Sequence, residues 1–322
     1  MQHPIQGATV ATYSVGSGGT YATLQTCFAA GVLADGDTVQ LAAGYNVNET
    51  CSISGVNNIT LLGDVTDPAQ AVVTWDNATA TNYGYTLKLN NLTGWVIKGI
   101  TLNYTGTSSV TAGCFFGGWS ESLISVEDCR INTSGRYAFS YYSNGTSFHR
   151  CEMAGTTSTA TNCQALGATK TLSIESCMFR DFGHYQVQLA DGSTVVNSTF
   201  YNGRAAADCS TGHAIYTHAT ATLRNVLLWN NHTKANRRGI VSNYPSQVTV
   251  SNSIIWGSAS ADGGLYDLHS STVQSNVLTS ADVGSSAVLA DAPGGNFYPD
   301  AGGLADGGGS ATYTPTGGDL NR

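Results

Sequence analysis

Charge is scarce in this chain of 322 residues: Asp, Glu, Lys and Arg make up 11% of it, against about 25% in an ordinary soluble protein. Residues 1–87 contain no Lys or Arg, and residues 239–322 contain only Arg322. With no basic run and no helical recognition motif, nucleic acid is not an expected partner. No apolar run approaches the roughly 18 residues of a membrane span, so membrane insertion is not expected either. None of the eight cysteines forms a CxxC pair, which argues against a zinc ribbon. The opening MQHPIQGATV shows neither the basic n-region nor the apolar h-region of a secretory signal. Leu, Lys and Glu are too sparse to build many helices.

Gly (38), Thr (39), Ser (32) and Asn (23) together supply 132 residues. Hydrophobic residues at 41% and 30 aromatics (5 Trp, 16 Tyr, 9 Phe) can still fill a core, so disorder is not expected. The composition reads as strand-rich with many turns. The net charge of −8 divides unevenly: −6 over 1–87, +4 over 88–238 and −6 over 239–322. Twelve of the 13 basic residues and five of the seven His lie in that middle segment. Such a basic waist suits an anionic ligand.

A short pattern recurs: WVIKGITL, SVEDCRI, SFHRCEM, SIESCMF, TVVNSTF, TLRNVLL, TVSNSII and TVQSNVL. Its ladder runs through Ile100, Cys129, Cys151, Cys177, Ser198, Val226, Ser253 and Asn276, at spacings of 29, 22, 26, 21, 28, 27 and 23 residues. A repeat with period-2 strands signals a β-solenoid. A further strand (CFFG, AFSY, QALG, QVQL, AIYT, GIVS, LYDL) sits between successive ladder strands. The coil is therefore three-sided. The turn residues Asp128, Asn197, Asn225 and Asn252 suit left-handed backbone.

This pattern resembles the right-handed parallel β-helix of the pectate-lyase-like superfamily. The segment YSVGSGGTYATLQTCFAAGVLADGDTVQLAAG is similar to the superfamily's usual start, a strand and short capping helix before the first coil. The resemblance implies one all-β domain: a strand and helix cap over 1–50, coils over 51–290 and an irregular tail over 291–322. Three strands per coil give roughly ten to twelve coils. Residues 20–31, with Tyr21, Leu24 and Phe28 near helical spacing, are the expected cap.

Cys129, Cys151 and Cys177 share the inward column, where free thiols act as small hydrophobes. Cys27 with Cys51, and Cys163 with Cys209, are open bridging pairs that sequence cannot decide. Nine Asn-x-Ser/Thr sequons occur; Asn197 among them reads better as a turn residue.

In this superfamily the face built by the additional strand usually carries the ligand groove. By analogy with the superfamily its outward positions are Phe115, Ser140, Ala165, Gln188, Tyr216, Val241 and Asp267. His213, Tyr216, His218, Lys234, Arg237 and Arg238 are the expected catalytic groups. His184, Gln188, Arg204, Asn243, Tyr244 and Tyr142 are the expected substrate contacts. A second column, Lys98, Glu127, His149, Glu175 and Arg224 beside Arg130 and Glu152, alternates in sign and reads as cross-strand ion pairing.

The waist cluster suits β-elimination on an anionic, uronate-containing polysaccharide. Arg237 or Arg238 with Asn243 would neutralise the carboxylate. His213 or His218 would remove the C5 proton, and Tyr216 or Tyr244 would protonate the departing oxygen. The aspartate pair of polygalacturonases and the acidic trio of calcium-dependent pectate lyases are both missing, so neither a metal nor another cofactor is expected. Two readings compete. One is a non-catalytic glycan-binding or viral-adhesin coil, with Tyr142, Tyr216 and Trp119 stacking on sugars. The other is a glycoside hydrolase using Asp181 and Asp208, which would need a suitable carboxylate pair. The expected location is extracellular or on a virion.

Overall fold

The computed structural model describes residues 10–76, 84–90, 92–106, 113–117, 123–141, 145–155, 164–168, 170–201, 214–217, 219–232, 239–242, 248–258, 273–279, 289–291 and 296–299. Strands dominate these segments, and all their pairings are parallel except in the hairpin Leu289–Asp291 with Asn296–Pro299. Two faces of the coil belong to one 19-stranded sheet, and the third face is a separate eight-stranded sheet. Each strand of the smaller sheet closes one coil, so eight complete coils stand among the described residues. Strand Thr12–Val15 precedes them, and strands Val248–Ser258 and Val273–Thr279 follow.

Stacking explains why apolar residues recur at one position per strand. Along the first face, Val39, Leu61, Ile97, Val126, Phe148, Ile174, Val195, Leu223 and Val250 fall in one register column. All nine are buried. Like rings meet like rings one coil apart: Phe115 on Phe139 at 4.1 Å, and Phe179 on Phe200 at 4.8 Å, both nearly coplanar. Coil spacing of about 4.8 Å allows that contact without rotamer strain.

A single turn column sets the corner between the first two faces. Gly99, Asp128, Arg150, Ser176, Asn197, Asn225, Asn252 and Asn276 all have φ between 49° and 66°. Asn amides bridge neighbouring turns, with Asn225 Nδ2 donating to Asn197 Oδ1 at 2.9 Å and Asn276 to Asn252 at 3.0 Å. Asn276 is thus a turn residue and not the ladder's last member. Val277 takes that place, opposite Ser253.

At five of these eight turns the next residue is Cys or Ser, and it is small for a reason beyond packing. Cys129, Cys151 and Cys177 each donate Sγ–H to the carbonyl two residues back, at 3.0 to 3.3 Å. Ser198 and Ser253 make the same bond through Oγ at 2.8 Å. That carbonyl already accepts the backbone N–H of the turn residue one coil back, so the thiol or hydroxyl is a second donor to its other lone pair. The three cysteines are buried free thiols in successive coils. Cys27 and Cys51 are also free thiols, so no bridge joins them. Cys163 and Cys209 lie outside the described residues.

The cap is the helix Leu24–Ala29, begun by a Thr23–Thr26 capping box and burying Leu24, Cys27 and Phe28. Glu49 reaches back from the first coil to accept from the backbone N–H groups of Leu24 at 3.2 Å and Gln25 at 3.0 Å. A carboxylate at a helix N-terminus also complements its partial positive charge. Among the described residues no helix is long and apolar enough to cross a membrane.

Candidate functional site

Strict alternation fails at the start of most strands in the eight-stranded sheet, although Cys51–Ser54 keeps it. Cys114 and Phe115 are both buried, as are Ala138 and Phe139, Ala165 and Leu166, Gln186 and Val187, and Ala214 and Ile215. The first member of each pair faces the neighbouring corner of the coil. Thus Cys114 Sγ donates to the Asn132 carbonyl at 2.9 Å, and Gln186 Nε2 donates to the Tyr201 carbonyl at 2.9 Å. Two consecutive inward residues shift the pleat, so Phe115 and Ala165 belong to the interior and not to the outer face. The outer row instead contains Ser140, Gly167, Gln188, Tyr216 and Val241 in register.

Residues just before the double-inward pair return to the outer side and join that row. Tyr137 lies opposite Gln164. Its ring crosses onto the next coil: a Cβ on Gly167 would stand 2.5 Å from Tyr137 Cε1 and 3.4 Å from Gln164 Oε1. Only a residue without Cβ leaves room for the ring there. The Arg136 guanidinium carbon sits 5.1 Å from the centroid of the Tyr137 ring, in cation–π contact.

One coil on, Gln164 Nε2 lies 2.8 Å from His184 Nδ1, and both side chains are buried. With the amide donating, the imidazole accepts at Nδ1 and carries its proton at Nε2. The His184 ring contacts Tyr185 at 3.9 Å, and Tyr185 stacks on Tyr216 at 4.7 Å with 13° between planes. Gln188 is the register neighbour of Tyr216. The structure therefore brings together three of the residues expected from sequence, His184, Gln188 and Tyr216. It adds Arg136, Tyr137, Gln164 and Tyr185. His213, His218, Lys234, Arg237, Arg238, Arg204, Asn243, Tyr244 and Tyr142 lie outside the described residues, as do Asp208 and Trp119.

The chemistry of this face is set by what its strands carry. Residues 136–141, 164–168, 184–190, 214–217 and 239–242 include no Asp or Glu. Described acids of the middle coils are engaged elsewhere. Lys98 Nζ is 2.9 Å from Glu127, His149 Nε2 is 2.6 Å from Glu175, and Arg150 holds Asp128 through two bonds of 2.6 and 2.9 Å. Arg180 bridges Glu152 at 2.8 Å and Asp181 at 3.0 Å. The alternating column is thus an ion-pair ladder, with one amendment. Val196 intervenes between Glu175 and Arg224, which are two coils apart. Among the described residues no group of three His, Cys, Asp or Glu is placed to hold a metal ion.

A family model described as "Right handed beta helix region" matches residues 161–297. The fold is the right-handed parallel β-helix. No curated protein sequence matches the chain. Its coils superimpose on a pectate lyase with a TM-score of 0.56 at 14% identity, covering 88% of this chain and 83% of that one. They also superimpose on pectin methylesterase from Erwinia chrysanthemi (TM-score 0.53, 13% identity, covering 85% and 95%). A pectin methylesterase from Aspergillus niger matches at TM-score 0.52 and 15% identity, covering 86% and 88%. At such identities the likeness is one of fold, and one fold hosts several chemistries.

Proposed function

We propose that the protein is an extracellular polysaccharide-processing β-helix enzyme that cleaves a uronate-containing glycan by β-elimination, on the outer face of the eight-stranded sheet around Tyr216. One observation carries this reading. The face gathers His184, Tyr185 and Tyr216 with the amides of Gln164 and Gln188 and the Arg136 guanidinium, while its strands contain no carboxylate. Hydrolysis by an acid pair requires two carboxyl groups on either side of the scissile bond. Elimination requires instead a cation or amide at the uronate carboxylate, a base for the C5 proton and an acid for the departing oxygen. Tyr216 is the proton donor in this reading, and Gln188 is an amide donor to the sugar. His213 and His218, which bracket the strand Ile215–Thr217 in sequence, are the candidate bases, with Lys234, Arg237, Arg238 and Asn243 as carboxylate partners. The solved relatives named above include one pectate lyase, which supports the substrate class.

The test mixes the protein with pectate, alginate, hyaluronan and glucuronan and follows the ultraviolet absorbance of unsaturated uronate ends. Appearance of that absorbance with at least one polymer is expected. New reducing ends without it would replace elimination by hydrolysis. Methanol release from a methyl-esterified polymer without chain cleavage would replace it by ester hydrolysis. Binding without any product would leave a glycan-binding coil.

A further inference from the structure

We infer that Arg136 and Tyr137 form a separate carboxylate-recognising subsite, at the far end of an aromatic track that runs along the coil axis to Tyr216. The inference deepens the proposed function, since it assigns substrate contacts to residues outside the reacting centre. The track has three rings carried on four coils. Tyr137 stands at the start of strand Tyr137–Tyr141, and its ring lies over Gly167 of strand Gln164–Ala168. Tyr185 precedes strand Val187–Leu189, and Tyr216 stacks on it from strand Ile215–Thr217. These four strands pair in sequence, so they lie on consecutive coils, the second of which supplies Gly167 as the floor under the Tyr137 ring. Three coil steps span about 14 Å at the usual strand spacing, a length that suits several sugar units and not a single ring.

Each part of the far end has a chemical role. Aromatic faces bind the apolar face of a pyranose and orient it. The guanidinium of Arg136 is planar and presents paired N–H donors that match a carboxylate. Its contact with the Tyr137 ring holds that plane beside the track. Below the ring, Gln164 Oε1 is buried and has no hydrogen-bond partner among the described residues. A buried amide oxygen left in that state is unfavourable, and a water admitted beneath the ring would satisfy it. Gly167 is the residue on which the arrangement depends, because any Cβ there displaces the Tyr137 ring.

Binding, measured separately from turnover, tests the idea. Wild type, Arg136→Gln, Arg136→Lys and Gly167→Ala are titrated calorimetrically with oligogalacturonates and oligomannuronates of two to six units, and with their carboxyl-reduced counterparts. Thermal melts confirm that each variant folds. Wild type should bind acidic oligomers more tightly as length increases. Arg136→Gln should weaken the longest acidic oligomers by about tenfold, the scale of one lost charge-assisted bond, and leave the dimers and the neutral series unchanged. Arg136→Lys should lie between the two, keeping charge without the planar fork. Gly167→Ala should weaken long acidic and long neutral oligomers alike, because it removes the platform and keeps the charge. Equal affinity of wild type and Arg136→Gln for every acidic oligomer would overturn the subsite, as would absence of binding by wild type. Should wild type bind with this length dependence and yield no unsaturated product, the subsite stands and the elimination reading falls.

Discussion

Tyr185 and Tyr216 lie on successive coils with their rings 4.7 Å apart and 13° from parallel. The stack fixes the Tyr216 ring from one side, so removing its hydroxyl and removing its ring are separable experiments. Tyr216→Phe keeps the stack and deletes the proton. If Tyr216 is the acid, kcat should fall by about 10²- to 10⁴-fold, the usual contribution of one positioned proton donor, with KM little changed. Tyr216→Ala should lose kcat and raise KM as well. Steady-state kinetics on whichever uronate polymer is cleaved separates the two, and an unchanged kcat in Tyr216→Phe removes Tyr216 from the proton transfers.

The ion-pair ladder gives a sign for the pH dependence of stability. Burial opposes ionisation of Glu127, but hydrogen bonds from Lys98 and Ser125 outweigh it, and its pKa is held below the ordinary carboxylate range. A depressed folded-state pKa contributes stability above the unfolded value, and that contribution is lost as pH falls through the folded one. The hydrogen bond to Glu127 raises Lys98, whose contribution is lost only as pH rises through its folded value at the alkaline end. Lys98→Met should therefore flatten the acid limb of a melting-temperature profile between about pH 5 and pH 2. Added salt should lower the wild-type melting temperature more than that of the variant.

Buried thiols predict chemical silence. Burial pushes Cys27 up to about 11 and also raises Cys51, Cys129 and Cys151 well above the ordinary thiol range. Only the thiolate is a nucleophile. Alkylation of the native protein followed by mass spectrometry should leave these four cysteines unmodified until denaturant is added. Replacement is also graded by the carbonyl bond: Cys151→Ser preserves a donor to the His149 carbonyl, whereas Cys151→Leu overpacks the column and should cost about 1–3 kcal/mol.

Asn225 tests the turn column. It holds φ of 52° and donates its amide to Asn197. Asn225→Ala should lose about 1–2 kcal/mol, from left-handed strain and the lost bond together. Asn225→Gly relieves the strain and should lose less. Urea unfolding of both variants gives the comparison, and equal losses would put the whole effect in the amide.

Much of this architecture is legible in sequence because each coil repeats the same local chemistry. Left-handed turn residues, most of them Asx, and the apolar strand centre recur along the stack, with Cys or Ser after five of the turns, so one aligned column predicts its neighbours. Alignment slips at Asn276, where an Asn that belongs to the turn was read as its successor. The outer face is harder to read. Gln188 and Tyr216 follow from alternation, but Tyr137, Gln164 and Tyr185 precede a pair of inward residues that breaks it. Pairs such as Cys114–Phe115, Ala138–Phe139 and Ala165–Leu166 were the available signal: a small residue, then a large one, at each strand start. The basic waist offers a ligand less charge than its total suggests. Lys98, Arg130, Arg150 and Arg180 face carboxylates on the other two sides, so the sequence total exaggerates the charge offered to a ligand.

The same turn column also decides where this protein can grow. Between the second and third faces the connection is two residues long from Asn48 to Cys51, six from Arg180 to Val187 and thirteen from Tyr201 to Ile215. The return from the third face to the first varies far less, from three residues between Leu189 and Ser193 to seven between Gly117 and Ser125. Register survives this variation, because from Gly99 onward each coil is indexed by its own left-handed residue and not by chain length. Insertions at that one corner therefore lengthen the chain between the second and third faces without moving any rung of the stack. Selection can lengthen or trim that connection, coil by coil, with the scaffold beneath it left untouched.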